Sequence, residues 1–271
     1  MIDIRKLSGT DHPSFYMGVL TSLREFDRRE VEGVLSGLFN ITKREECFYA
    51  IYLRTQRNVD TLLELKHVAH FQAVAMLSRA VFELCMDIEM LAKSTDGDLR
   101  MRVFKSLELL RAARSLVKYE DSHSGLKTPS ERRRYVAETG PLVEQQARTL
   151  WPGKKLSDLK HWSGLNAAQR AKNLGFETET MYSSSYQQFS WYVHGGIQGT
   201  LDAPPEHFPR ICGMALSLSV VSYSRVLTTV ARAMRITTHD QDFERKLELA
   251  LGLPQTESEE DELRLRRDVG L

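Results

Sequence analysis

The chain has 271 residues, so it is long enough to bury a large core without disulfides or bound metals, and 42% of its residues are hydrophobic. Its 37 basic and 36 acidic side chains leave a formal net charge of +1. This balance excludes a strong overall attraction to nucleic acid or to a membrane surface, although a local basic patch remains compatible with it.

The cysteine pattern and the N-terminus indicate the compartment. Cys47, Cys85 and Cys212 lie far apart and form no CxxC pair, which argues against a disulfide framework and against a zinc ribbon. Residues 1–6 lack the apolar segment of a secretory signal. We therefore expect a reducing, cytoplasmic location.

Helical periodicity dominates the chain and strand-like alternation is nearly absent, so we predict an all-α, multi-helix bundle. Thr128 with Glu131, and Asn166 with Gln169, are predicted capping boxes at two helix starts. Trp151 and Trp162 are predicted aromatic anchors of an irregular connection. The predicted helices follow one another at 13–38, 43–65, 67–93, 98–119, 129–149, 166–174, 177–194, 206–235 and 239–251.

We predict one helical domain over residues 1–252, in which the helices at 13–65 pack on a core of about 67–235. Residues 253–271 are rich in charge and poor in large apolar side chains, so we expect a mobile polar tail. The span 211–234 is long enough to raise the question of a membrane helix. Arg225, Arg232 and four serines within it favour a buried helix instead, and we expect no membrane contact.

The helix predicted at 67–93 is apolar around almost its whole circumference, which is typical of a central helix in a bundle. Arg79, Glu83 and Asp87 nevertheless follow one another on it at four-residue spacing. A charge on a buried helix needs a partner. Two interpretations stay open: Arg79 and Glu83 form an intrahelical ion pair at the edge of the core, or this pair meets a second polar helix and forms a site.

The second polar helix is predicted at 177–194, where Tyr182, Tyr186, Ser190 and His194 recur every four residues ahead of two glycines. On a regular α-helix this spacing keeps the side chains on one face. The negative end of the helix dipole would favour a charged His194, which suits proton transfer; a structural or surface role is the alternative. The candidate catalytic residues are thus Arg79, Glu83, Tyr186, Ser190 and His194.

Other site types receive less support. Nothing around Ser190 resembles a nucleophile elbow. His67 and His70 have a spacing that could chelate a metal, but no carboxylate and histidine motif accompanies them, so we predict neither a metal nor a cofactor. The basic side chains that could hold phosphates are Arg132, Arg133, Arg134, Lys154 and Lys155.

The order of these features resembles the DUF5677 family, a group of bacterial helical proteins of unknown function. The resemblance rests on Arg79 and Glu83 on an apolar helix, then Trp162, then a short helix ending at Gly175, and then the stripe from Tyr182 to His194. It covers about residues 60–235 and implies no particular reaction.

A more distant resemblance is to the HEPN superfamily, many of whose members are metal-independent ribonucleases in toxin–antitoxin and abortive-infection systems. The catalytic pattern of that superfamily places an Arg and a His four to six residues apart on one helix. In this chain Ser190, and not an arginine, precedes His194 by four residues, and the nearest candidate arginine is Arg79 on another helix. The resemblance implies that His194 serves as general acid or base and that Arg79 stabilises the phosphorane.

Three classes of function remain open at this stage. The first is an RNA-targeting toxin or phage-defence protein, with RNA and a cognate antitoxin as partners and a dimer as the expected assembly. The second is a non-catalytic interaction or scaffold protein, in which the Arg, Glu, Tyr, Ser and His side chains form a satisfied buried network. The third is a small-molecule binder or hydrolase, for which the sequence holds no nucleophile motif.

Overall fold

The computed structural model describes residues 12–38, 40–123, 130–193, 205–236 and 240–253. These residues form α-helices joined by short 3₁₀ and π turns, and none of them lies in a strand. The predicted all-α fold is confirmed. The predicted tail over 253–271 lies outside the described residues except for Leu253.

The helices agree with the predicted boundaries to within a few residues. We number them α1 Pro13–Asp27, α2 Lys43–Glu64, α3 Phe71–Lys93, α4 Gly97–Ser122, α5 Ser130–Arg134, α6 Gly140–Leu150, α7 Ala167–Leu174, α8 Phe176–Met181, α9 Gln187–Val193, α10 Phe208–Ala233 and α11 Asp240–Ala250. Within the described ranges, three π turns interrupt otherwise continuous helices, at Arg28–Glu32, Tyr135–Thr139 and Tyr182–Tyr186, and a short helical turn at Gly33–Leu35 follows the first.

Local sequence explains several helix starts. Thr42 and Glu45 form a reciprocal capping box at the start of α2. Asn166 and Gln169 do the same before α7, where the Gln169 amide donates to Asn166 Oδ1 over 2.9 Å and the Asn166 amide donates to Gln169 Oε1 over 3.1 Å. The Asn166 box is therefore confirmed. Thr128 lies outside the described residues.

The described residues group into two compact units, one from the ranges 1–92 and 171–271 and the other from the range 93–170. The expectation of a single domain over 1–252 stays a prediction.

Helices α1, α2, α3 and α10 supply most of the core of the first unit. The predicted central helix, α3, buries Val81, Phe82, Met86 and Ile88 completely. Helix α10 is long and apolar enough by composition to cross a membrane, but most of its apolar stretch is buried inside the protein, as in a core helix.

A buried polar cluster holds three of these helices together. Asp27, at the end of α1, is fully buried and accepts hydrogen bonds from the hydroxyls of Tyr52 on α2 and Tyr223 on α10. It also accepts from Gln56 Nε2 over 2.8 Å and from Arg24 Nη1 over 2.9 Å. Because all four groups donate to Asp27, both oxygens of the buried carboxylate have hydrogen-bond partners. We call these five residues the Asp27 cluster.

The second unit packs α4 against α6 through an apolar cluster that includes Leu107, Leu110, Val143 and Trp151. Trp151 and Trp162 are 3% and 5% exposed, so the predicted anchoring of the irregular connection by these two rings is confirmed. Gly164 has a φ of +72°, and a Cβ added there would lie 2.9 Å from the Trp151 ring. The close approach of the indole therefore requires glycine at this position.

Candidate functional site

Arg79, Glu83 and Tyr186 meet in the first unit. Arg79 Nε donates to Glu83 Oε1 over 3.1 Å, which is the predicted intrahelical pair on α3. The Tyr186 hydroxyl donates to the same carboxylate oxygen over 2.6 Å, and Arg79 Cζ lies 4.6 Å from the centroid of the Tyr186 ring. The Arg79–Glu83 pair is therefore an intrahelical ion pair that also contacts the second polar helix at Tyr186, whereas its role as a site stays a prediction.

The second polar helix is not a regular α-helix at this point. Tyr182–Tyr186 forms a π turn between α8 and α9, and such a turn shifts the register between the side chains before and after it. The single α-helical row that the sequence predicted is therefore wrong in this segment. The Tyr182 and Tyr186 rings nevertheless stack, with centroids 5.0 Å apart and planes 26° apart.

The members of this cluster differ in exposure. Tyr186 is only 4% exposed, whereas the side chains of Arg79 and Glu83 are 17% and 35% exposed. Burial raises the pKa of Tyr186, and its hydrogen bond to the Glu83 carboxylate raises it further, so the phenol stays protonated at neutral pH. The neutral hydroxyl thus serves as a donor to Glu83.

The remaining catalytic candidates lie further along the helix. Ser190, half-buried on α9, donates its hydroxyl to the Tyr186 carbonyl over 3.1 Å and so satisfies itself on its own helix. His194 lies outside the described residues, because α9 is described only to Val193. The structure thus brings together Arg79, Glu83 and Tyr186 among the five predicted residues.

The five basic candidates all belong to the second unit. Arg132 and Arg133 form ion pairs with Glu120 and Asp121, and Arg134 lies 4.0 Å from Glu138. Lys154 donates to the Gly164 carbonyl, and Lys155 is exposed. Carboxylates thus offset much of the positive charge predicted for the tract 132–134.

No cluster of three or more metal-ligating side chains occurs in the described part of the chain. The His67 and His70 rings lie 6.3 Å apart, and His67 Nδ1 accepts a hydrogen bond from the Ala69 amide.

Comparison with known proteins gives one result. The model of a family of unknown function, DUF5677, matches residues 47–203, which is more than half of the chain. The chain belongs to the DUF5677 family. Searches of curated proteins and of solved structures give no match. The match contains the whole Arg79–Glu83–Tyr186 cluster, whereas Asp27 and Tyr223 lie on either side of it.

The sequence predictions missed two polar clusters of this DUF5677 protein. One is the Asp27 cluster. The other joins α10, α3 and α8: Arg225 holds Glu89 with two hydrogen bonds of 2.6 and 2.7 Å and Thr178 with one of 2.9 Å. Arg225 and Glu89 are each a charge on an apolar helix, so the sequence held a signal for a buried partner, which the prediction did not use for Glu89. Periodicity gives no information on which helix supplies that partner.

Proposed function

We propose that this DUF5677 protein acts on RNA and that Arg79, Glu83 and Tyr186 are the described part of its site. The observation that supports this proposal best is the meeting of the three side chains across two helices, with the arginine and the carboxylate still partly exposed. Arg79 and Glu83 can pair within α3 alone, so the contact from Tyr186, in the π turn before α9, is an addition to that ion pair. The distant resemblance to the HEPN superfamily, many of whose members are ribonucleases, is the reason for proposing RNA as the substrate class.

The proposed reaction needs no metal. His194 accepts the proton of the 2′-hydroxyl, the 2′-oxygen attacks the adjacent phosphorus, and the 5′-oxygen leaves and takes a proton from water. Arg79 stabilises the negative charge that develops on the phosphoryl oxygens. Glu83 and Tyr186 orient Arg79, the first through an ion pair and the second through its ring. The products are a 2′,3′-cyclic phosphate and a free 5′-hydroxyl.

The second candidate is a non-catalytic interaction protein. The observation in its favour is that Tyr186 is buried and hydrogen-bonded, and that Ser190 bonds to its own helix. In that case the cluster fixes the contact between α3 and the segment after α8, and its loss costs stability but no activity.

The experiment that separates the two candidates compares RNA cleavage by the purified full chain with cleavage by Arg79→Ala and His194→Ala, in the presence of a metal chelator. Under the proposal both variants lose at least about 100-fold in rate, the scale of a lost general base or charge stabiliser. Cleaved ends are tested for the cyclic phosphate.

Two matched variants control for the loss of an arginine or a histidine elsewhere. Arg102 forms an exposed 3.3 Å ion pair with Asp98 on α4, and His123 is exposed after the end of α4. Arg102→Ala and His123→Ala should keep the wild-type rate. Absence of cleavage by the wild-type chain, or equal rates in all five proteins, would reject the ribonuclease proposal.

A further inference from the structure

Tyr182 is the outer member of the aromatic stack at the site. Its partner Tyr186 is buried, with the Phe82 ring 5.7 Å away and Arg79 Cζ 4.6 Å away, whereas Tyr182 is only half-buried. The Tyr182 ring therefore keeps accessible surface while its stacking partner is held rigidly in the core. A ring fixed in this way loses little conformational entropy when a second flat molecule stacks on it.

Polar groups lie near this stack. Arg79 and Glu83 contact its inner member, Tyr186, and their side chains are partly exposed. Ser183 and Ser184, which follow Tyr182 in the chain, are exposed and carry hydroxyls. A flat ligand with donors and acceptors around its edge matches such surroundings, and a nucleobase has this chemistry.

We propose that Tyr182 is a stacking platform for an unpaired nucleobase, so that the RNA bound at this site is single-stranded there. This inference rests on the proposed action on RNA and adds the substrate class and a specificity-determining residue to it. A base inside a duplex is covered on both faces by its neighbours, so only a splayed-out base stacks on a protein ring. Tyr182 contacts the base and takes no part in proton transfer.

The test measures binding of a short fluorescein-labelled 2′-O-methyl RNA, which cannot be cleaved because its 2′-oxygens are blocked. The single strand and the same strand annealed to its complement are titrated with the wild-type chain, Tyr182→Leu and Tyr182→Phe. Loss of one base-stacking contact should weaken single-strand binding by about 10-fold in Tyr182→Leu. Tyr182→Phe keeps the ring and should bind as the wild type does. The wild type should bind the duplex more weakly than the single strand.

Tyr119→Leu is the matched control, since Tyr119 is an exposed tyrosine of the second unit whose ring lies 4.1 Å from that of His123, with the planes tilted by 32°. It should leave binding unchanged. Thermal unfolding of each variant checks that the folds are equally stable. If Tyr182→Leu unfolds early, the comparison of single-strand with duplex binding by the wild type and Tyr182→Phe decides instead, and equal binding of the two RNAs overturns the inference.

The outcomes separate this inference from the proposed function. The stacking role is supported if Tyr182→Leu weakens binding of the single strand and Tyr182→Phe preserves it. The stacking role is overturned, while the action on RNA stands, if the wild type cleaves RNA and Tyr182→Leu binds the single strand as tightly as the wild type does. Equal binding of single strand and duplex by a wild type that cleaves RNA has the same meaning. A wild-type chain that neither binds nor cleaves RNA overturns both.

Discussion

At the residue scale, the Asp27 cluster places a carboxylate in the core of the first unit, and burial of that charge costs free energy unless its hydrogen bonds compensate. Burial raises the pKa of Asp27, and the hydrogen bonds from Gln56, Tyr223 and Tyr52 together with the charge of Arg24 oppose that rise. Arg24 in turn reaches the partly exposed carboxylates of Glu32 and Asp60 at 2.8 Å each. Each donor is therefore part of the compensation for burying the charge.

Removal of a single donor from this cluster should be costly. Tyr223→Phe keeps the ring but takes one hydrogen bond from the buried Asp27 carboxylate, and a bond to a charged group contributes about 1.5–3 kcal/mol. We expect the free energy of unfolding to fall by that amount in urea titrations at neutral pH. Tyr119→Phe, at an exposed position, should change it by less than about 0.5 kcal/mol. Equal losses in both variants would contradict the role of the Asp27 cluster.

The residue scale is also where sequence reasoning was least complete. Arg79 and Glu83 could be paired from their spacing alone, because four residues on an α-helix bring two side chains together. The contact of Tyr186 with Glu83 spans 103 residues of sequence, and the partners of Asp27 come from three helices. Such contacts depend on how the helices pack, and helical periodicity carries no information about the choice of neighbour.

At the element scale, helix starts and lengths followed from the sequence, whereas the interruptions within helices did not. Pro13, Thr42 and Asn166 mark helix starts by their own chemistry. The π turns at Arg28–Glu32 and Tyr182–Tyr186 carry no such mark. The first directly follows the buried Asp27 and the second carries Tyr186, so both lie where a helix contributes to a polar cluster.

Helices α3 and α10 are joined by the ion pair of Arg225 with Glu89, whose side chains are 22% and 14% exposed. Arg225→Met leaves the Glu89 charge without its bidentate partner, and the loss of one member of such a pair costs about 3–5 kcal/mol. Replacement of both residues, Arg225→Met with Glu89→Leu, should restore most of that stability because no charge remains buried. A double-mutant cycle in urea measures the coupling.

The control for this cycle lies on the same helix. Arg232 pairs with Glu244 near the end of α10, but their side chains are 55% and 33% exposed, so solvent screens the pair. Arg232→Met should cost no more than about 1 kcal/mol. A coupling energy for Arg225 and Glu89 as small as that of the exposed pair would show that the buried pair does not hold α3 to α10.

At the scale of the whole molecule, the first unit is completed by segments on both sides of the DUF5677 match. The match begins at residue 47 and ends at residue 203, so α1 and α10 lie outside it. Asp27 on α1 and Tyr223 on α10 nevertheless bond to each other in the core, and Asp27 also bonds to Tyr52 inside the match. The part of the family segment that belongs to the first unit therefore shares a core with α1 and α10.

The buried tyrosines of this core predict how the stability of the whole chain depends on pH. Burial raises the pKa of Tyr52, Tyr186 and Tyr223, and in each case a neighbouring carboxylate raises it further. The native state therefore keeps these protons at a pH where the unfolded chain, whose tyrosines ionise near pH 10, has lost them. Their contribution to stability is fully present below pH 10 and is lost as the pH rises towards the native pKa values.

For each such tyrosine the free energy of unfolding should fall by about 1.4 kcal/mol per pH unit above about pH 10. Tyr223→Phe removes one of these groups, so its alkaline slope should be shallower than that of the wild type by this amount, although the variant is less stable at neutral pH.

Ser219→Ala is the control, since it loses a buried 2.8 Å hydrogen bond to Ser78 but no titrating group, and it should keep the wild-type slope. The raised pKa of the buried thiol of Cys212, about 11, acts with the same sign in all three proteins and cancels from the comparison. Urea titrations at successive pH values measure the slopes, and equal slopes for the wild type and Tyr223→Phe would mean that Tyr223 titrates in the native core as it does in the unfolded chain.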